Sequence, residues 1–220
     1  MHTLSISFLG LRSERHSYKC MYLNNIAPGR LLEVGCGNGK RLARMRDLGW
    51  DVTGQEIDSV ASEYVRQEKG IPVHLGPLET MDTPGEFDVV ILSHVIEHLH
   101  DPVALLKMCH LLLKKNGLLV LLTPNVASYG HRKFGAGWCG LESPRLAQKS
   151  GFSNPNSWTT PIGAYGIGQS SSSSAETTKA GCQFMATRDV LRGFWFQLAA
   201  HLVFQFDKNS GEECVLMATK

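Results

Sequence analysis

The pattern that most constrains this chain is the alternation of short apolar runs with helical periods between residues 30 and 124. "RLLEVG" (30–35) reads as a strand ended by glycine. "KRLARMRDLGW" (40–50) sets Leu42, Met45 and Leu48 at helical spacing before a stop at Gly49. "DVTGQEID" (51–58) is a second strand ending in acids, "VASEYVRQEKG" (60–70) a helix closed by Gly70, and "IPVHL" (71–75) a third strand. "FDVVILS" (87–93) is almost wholly apolar, as a strand covered on both faces requires. Asp101–Pro102 offers an N-cap and a proline at the first helical position for a helix running to Gly117, and "LLVLLTP" (118–124) is a fifth strand. Strands alternating with helices of this length predict an α/β domain: a parallel sheet with right-handed crossovers.

Composition narrows the function classes. A length of 220 residues suits one α/β domain, or a domain with a small appendage. The net charge of +2, with no Lys/Arg run longer than two residues, gives no electrostatic case for nucleic acid or an anionic membrane. The six cysteines (Cys20, Cys36, Cys109, Cys139, Cys182, Cys214) are scattered without a C-x-x-C pair. This speaks against a zinc ribbon or disulfide framework and suits a reducing compartment. No apolar run is long enough to span a bilayer, and "MHTLSISFLGLRSER" lacks the basic start of a signal peptide. The expectation is a cytoplasmic protein. Oligomeric state is not legible.

After Pro124 the regularity weakens. Residues 125–170 are rich in Gly, Ser, Pro and Trp, and Ser170–Ser174 is a flexible segment by composition. "TRDVLRGFWFQLAAHLVFQF" (187–206) reads as a helix and "GEECVLMATK" (211–220) as a terminal strand. The expected organisation is an N-terminal helical or irregular segment (1–27), a ligand-binding core (28–126), an irregular cover (127–186), and a C-terminal helix and strand of the same domain (187–220).

The loop "GCGNGK" joins the first strand to its helix. Glycines there allow positive φ and close approach of a ligand to the backbone, and the following helix start presents free N–H groups. Gly35 and Gly37 fit a dinucleotide fingerprint, but its third small residue is replaced by Lys40, which disfavours a pyrophosphate-binding oxidoreductase. Glu56 ends the second strand about twenty residues beyond Gly35, where a carboxylate can accept ribose hydroxyls. The pocket therefore suits a nucleoside.

"LLEVGCGNGKRLARMRDLGWDVTGQEID" with "FDVVILSHVIEHLHDPVALLKMCHLLLKKNGLLVLLTPN" resembles the class I S-adenosylmethionine-dependent methyltransferases, in particular the small-molecule enzymes with an "EH-L-x-D-P" segment after the fourth strand. The resemblance covers residues 28–126 continuously and returns more weakly at 138–152 and the last strand. It implies a Rossmann-like, doubly wound, mostly parallel seven-stranded sheet whose last strand is antiparallel and enters between the fifth and sixth. The implied cofactor is S-adenosyl-L-methionine, and the implied partner a small-molecule acceptor methylated on O or N. Glu33, Gly35, Cys36, Gly37 and Gly39 would lie on the methionine side, Glu56 and Ile57 at the ribose, Leu78 at the adenine through its N–H, and Ser93 and His94 beneath the sulfonium. A non-catalytic S-adenosylmethionine-binding module is the rival from another class.

"HVIEH" (94–98) also matches H-x-x-E-H, a zinc-peptidase pattern that needs both histidines on one helical face. Here it follows a buried strand and precedes a new helix. Metal-dependent relatives have an acid where His94 stands, so no metal is expected. His94 and His98 remain the candidates for taking or holding a substrate proton, imidazole being the natural group near neutral pH. In "GWCGLESPR" (137–145) the family pattern continues with a dozen or more residues that this chain lacks. Tyr129, Trp138 and Arg145 are the candidate substrate-side residues, and Phe152, Trp158 and Tyr165 are large apolar groups that could close over an acceptor.

Overall fold

Apolar strands covered by amphipathic helices make the frame. The computed structural model describes residues 14–125, 128, 147–162 and 187–220. In chain order the elements are β1 (Arg30–Val34), α1 (Lys40–Asp47), β2 (Asp51–Glu56), α2 (Ser59–Lys69), β3 (Val73–Leu75), β4 (Phe87–Ser93), α3 (Pro102–Leu112), β5 (Leu113–Pro124), β6 (Ser153–Thr160), α4 (Thr187–Phe206) and β7 (Glu213–Thr219). Short helical stretches occupy 14–19 and 147–149.

The seven strands form one sheet in the order β3-β2-β1-β4-β5-β7-β6. β1 lies parallel to β2 with Arg30 opposite Asp51, and parallel to β4 with Leu31 opposite Val89; β2 and β3 are also parallel. The Lys220 N–H bonds to the Gly117 carbonyl while the Asn125 N–H bonds to that of Glu212. A register in which one strand climbs as the other descends is antiparallel, so β7 enters reversed between β5 and β6. This is the mixed, doubly wound sheet that the family resemblance implies.

The core follows from burial on both faces of the central strands. Leu31, Leu32 and Val34 of β1 and Val89 to Leu92 of β4 are buried. Leu42 and Met45 of α1, Val65 of α2, and Leu105, Leu106, Cys109 and Leu112 of α3 are buried as well. Two of the helices, α2 and α3, carry side-chain caps. Asp58 accepts from the N–H groups of Val60 and Ala61, Gly70 closes α2 in the left-handed region, and Asp101 accepts from Ala104 ahead of Pro102.

Two elements differ from expectation. The helix after Asp101 ends at Leu112, not Gly117, and β5 begins at once. The N–H groups of Gly85 and Glu86 take the carbonyls of Leu111 and Leu112, which relieves the helix end, and Leu113 turns extended with its side chain buried. The polar "KKN" that reads as a helix end lies in the strand, with Asn116 at φ 63°. In the stretch read as irregular, Ser153–Thr160 form β6. It is the edge strand, where Pro155 is tolerated because no neighbour needs its missing N–H.

The described chain divides into two compact units. The first holds residues 14–121, 147–155 and 217–220, with β1 to β4 and α1 to α3. There Phe152 packs edge-on against His110 with ring centroids 5.1 Å apart. The second holds 122–125, 128, 156–162 and 187–216. In it the Asn125 amide donates to the carbonyls of Asn209 and Gly211, and Thr159 donates to that of Lys208. Among the described residues no helix is long and apolar enough to cross a membrane.

Candidate active site

A cavity of about 510 Å³ opens in the first unit at the C-terminal ends of β1, β2 and β4. Of the residues singled out in the sequence, Gly35, Glu56, Ile57, Leu78, His94 and His98 line it. Glu33, Cys36, Gly37, Gly39 and Ser93 do not, and each has another place.

Gly35 and Gly37 lie in the left-handed region, at φ 66° and 51°. They serve different ends. A Cβ on Gly35 would come within 2.7 Å of a Val95 methyl, so this glycine lets the turn after β4 pack against the loop. A Cβ on Gly37 would meet nothing within 4 Å, so that position is open to an incoming group. The Gly37 N–H donates to Glu56 Oε2 at 2.8 Å. The other oxygen, Oε1, accepts from Ile57 N–H at 2.8 Å and Asp58 N–H at 3.1 Å. The buried Glu56 carboxylate is thus fixed by three backbone donors on the wall of the cavity. Gly39 begins α1 and sits against Val65. Cys36 is buried over Gly54, and burial, with the charges of Glu33 and Glu56, pushes its thiol up to about 12. It is a packing residue that stays protonated.

Glu33 is 2% exposed. Arg41 donates to its Oε1 through Nη1 and to Ser93 Oγ through Nη2 at 2.8 Å. The second oxygen, Oε2, is buried and makes no hydrogen bond. Burial raises the Glu33 carboxyl above its usual range, and Glu56 adds to this. The charge and hydrogen bond of Arg41, with a smaller pull from the Leu42 N–H, oppose it.

On the far side, Pro77, Leu78 and Glu79 form a turn whose Thr80 hydroxyl donates to the Pro77 carbonyl and lies 2.7 Å from His74 Nε2. With Thr80 donating forward, His74 Nε2 carries the proton it shares. Gln55 is buried between the two loops. Its amide donates to the Gly76 carbonyl at 2.7 Å, and its side-chain oxygen accepts from Gly35 N–H at 3.2 Å.

The segment after β4 is a single 3-10 turn, Ile96–His98, rather than an α-helix. His94, at φ 55°, cannot share a helical face with His98, so the peptidase geometry is not formed. His94 Nδ1 lies 3.4 Å from the buried Glu97 Oε1. Both histidines line the cavity, joined there by Val95, Leu99, His100, Asp101 and Leu105. Among the described residues no three His, Cys, Asp or Glu side chains are grouped as metal ligands. Tyr129, Trp138, Arg145, Tyr165 and Ser170–Ser174 lie outside the described residues.

Four polar cavity residues escape the sequence reading as site residues: Gln55, Glu79, His100 and Asp101, the last read only as a helix cap. Arg41, beneath the cavity, escaped it too. The signal for Gln55 was a polar residue inside a buried strand. Arg41 left none, since an arginine on a helix reads as solvated surface.

The family model for the methyltransferase domain matches residues 12–159. The chain belongs to this family. Its sheet is that of the class I S-adenosylmethionine-dependent methyltransferases. This domain is 34% identical over 108 residues to the ubiquinone biosynthesis O-methyltransferase of Bradyrhizobium sp., covering 47% of this chain and 43% of that protein. It is 36% identical over 117 residues to the same-named protein of Cereibacter sphaeroides, covering 50% and 47%. The chain thus spans about half the length of the curated relatives it matches. Among solved structures, a SAM-dependent methyltransferase from Archaeoglobus fulgidus superposes with a TM-score of 0.57 at 17% identity, over 97% of this chain and 93% of that one. Phosphoethanolamine N-methyltransferase 2 of Haemonchus contortus, solved with S-adenosyl-L-methionine, superposes at 0.61 and 18% identity, over 94% and 52%. These likenesses establish the fold.

Proposed function

We propose that this methyltransferase domain binds S-adenosyl-L-methionine and methylates a small-molecule acceptor on oxygen or nitrogen, in the cytoplasm. The observation that carries the reading is Glu56, a buried carboxylate on the cavity wall, locked by the N–H groups of Gly37, Ile57 and Asp58.

The residues present fit the cofactor. The volume of about 510 Å³ suits a ligand of this size. An ionised carboxylate offers about four acceptor sites, and three backbone donors use most of them. A ribose hydroxyl takes what remains and shares the oxygen now held by Gly37. Leu78, at the start of its turn, supports the adenine side, and Ile57 covers the ribose. Glu33 lies on the methionine side, and Ser93 and His94 stand beneath the sulfonium. The bound cofactor supplies an electrophilic S-methyl group.

The chain's own work is then positioning and exclusion of water. Val95, Leu99 and Leu105 give the cavity apolar walls. His98 or His94 holds the acceptor proton, with Glu97 orienting His94 through Nδ1. An acidic phenol needs little such help, and an alcohol more.

The test is calorimetric titration with S-adenosylhomocysteine and, separately, NAD. Binding of the first and not the second supports the reading. Binding of NAD alone makes the domain a nicotinamide site and sinks it.

A further inference from the structure

The two strand ends beneath the cavity are joined by a residue that belongs to no motif. Arg41 lies in the first turn of α1 and bridges Glu33 of β1 to Ser93 of β4. Glu33 is followed by Val34 and Gly35, and Ser93 by His94 and Val95; all four line the cavity. The guanidinium therefore sets the spacing of both lips of the floor. It also supplies the counter-charge of a carboxylate that is 2% exposed and whose Oε2 makes no hydrogen bond. A buried acceptor left unmatched is costly, and native proteins rarely keep one that nothing uses. Arginine suits the task because it stays charged when partly desolvated and its planar fork can grip two oxygens at once.

We infer that Arg41 is a positioning residue of the cofactor site: it holds Glu33 as a carboxylate turned so that Oε2 accepts a hydrogen bond from the ammonium group of the cofactor's amino-acid end. The inference rests on the S-adenosylmethionine reading of the cavity. Its physical content is a protonation state. The groups that bear on Glu33 are Arg41 and the Leu42 N–H from α1, Glu56 from β2, Cys36 from the loop and Ser93 from β4. Cys36 is neutral and Ser93 carries no charge, so Arg41 is the cation that opposes burial and Glu56. Without it the carboxyl keeps its proton and presents a donor where the ammonium needs an acceptor. Raising the pH removes that proton and restores the acceptor.

The experiment is calorimetric titration of S-adenosylhomocysteine into wild type, Arg41→Gln and Arg41→Lys from about pH 6 to about pH 8, within the range to which burial can raise a carboxyl. The ratio of variant to wild-type Kd is the quantity read, because the titration of the ligand itself cancels in it. Arg41→Gln is expected to weaken binding about tenfold or more at the acid end, as the loss of a charged hydrogen bond does, with the ratio shrinking as pH rises. Arg41→Lys keeps the charge and should restore most of the affinity with a flat ratio. A ratio for Arg41→Gln that does not change with pH, or a lysine variant no better than the glutamine, overturns the inference. Should Arg41→Gln not fold, Glu33→Gln with Arg41 intact decides the matter. A pH-independent loss of about tenfold supports the inference, and unchanged affinity overturns it. Wild type that does not bind S-adenosylhomocysteine overturns the cofactor reading and this inference together, whereas wild type that binds with a flat Arg41→Gln ratio overturns only the role given to Arg41.

Discussion

β1 and β4 run side by side and carry an ion-pair cluster at each end. At the C-terminal end Arg41 holds Glu33, whose side chain is 2% exposed. At the N-terminal end Lys114 reaches both oxygens of Asp88 at 2.9 and 2.8 Å, the Arg30 N–H donates to Asp88, and the Arg30 guanidinium meets Glu86 at 2.6 Å. These four side chains are about two-fifths exposed: Asp88 39%, Glu86 40%, Lys114 42%, Arg30 44%. The chemistry is alike and the environment opposite. Burial tends to raise the Asp88 carboxyl, but hydrogen bonds from Lys114 and the Arg30 N–H outweigh it and leave Asp88 below its usual range, while Glu33 is held above its own. The solvated cluster is an ordinary staple on the strand starts. The buried one costs desolvation that a pair of apolar side chains would avoid, and it sits under the cavity. A costly pair at one end and a cheap one at the other separates what the site requires from what the sheet tolerates.

The sharpest way to break this comparison is Arg41→Met. It takes the cation partner from buried Glu33, which must then take up a proton to stay buried, and stability near neutral pH should fall by up to about 3–5 kcal/mol, read by denaturant unfolding. A loss no larger than that from a surface pair would show the buried bridge to be ordinary. Next is Glu56→Ala, which should weaken S-adenosylhomocysteine binding about ten- to a hundredfold, the worth of a charged hydrogen bond of about 1.5–3 kcal/mol. Unchanged affinity by calorimetry would remove Glu56 from the site.

Breaking the exposed cluster should cost least among the ion-pair changes. Asp88→Asn is expected to lower stability by about 1 kcal/mol or less, and a loss equal to that of Arg41→Met would erase the distinction. The two ends should also differ in pH dependence, and the signs are opposite. Asp88 is lowered in the native state, so its contribution is present above the unfolded value of 3.8 and is lost as pH falls through the native one. Glu33 is raised, so the native state holds its proton longer than the unfolded chain does. Its contribution is greatest at acid pH and declines as pH rises from 4.5 towards the native value. Subtracting the unfolding free energies of Asp88→Asn and Glu33→Gln from wild type across pH should give slopes of opposite sign. Slopes of the same sign would refute the assignment. The smallest expected effect is none: chelation with EDTA should leave ligand binding and any methylation intact, and restoration of a lost activity by magnesium or zinc would show a metal site.

The parts legible in the sequence are those set by local pattern. β4 spans Phe87–Ser93 as the apolar run suggests, and Glu56 meets the glycine loop as its position at the end of β2 suggests. The helix before β5 reads too long in the sequence because Lys114, Lys115 and Asn116 carry the polarity of a helix end, while its stop depends on Gly85 and Glu86, distant in the chain. β6 was missed because Asn154, Pro155 and Asn156 lack strand propensity, and an edge position tolerates them. Arg41 and Gln55 were illegible for a common reason. Their meaning lies in which backbone another strand brings to them, and no periodicity encodes that.

Gln55 has a consequence for motion. Its side chain spans the glycine loop after β1 and the turn after β3, taking the Gly35 N–H on one side and giving to the Gly76 carbonyl on the other. Gly76 in turn donates to the Glu56 carbonyl. Neither loop can swing outward without parting the buried Gln55 amide from a partner, which costs free energy. The two walls that would receive opposite ends of an elongated ligand are therefore geared together. Their amide protons should exchange with solvent in step, as one opening event, and a fragment that fills one end should slow exchange at the other.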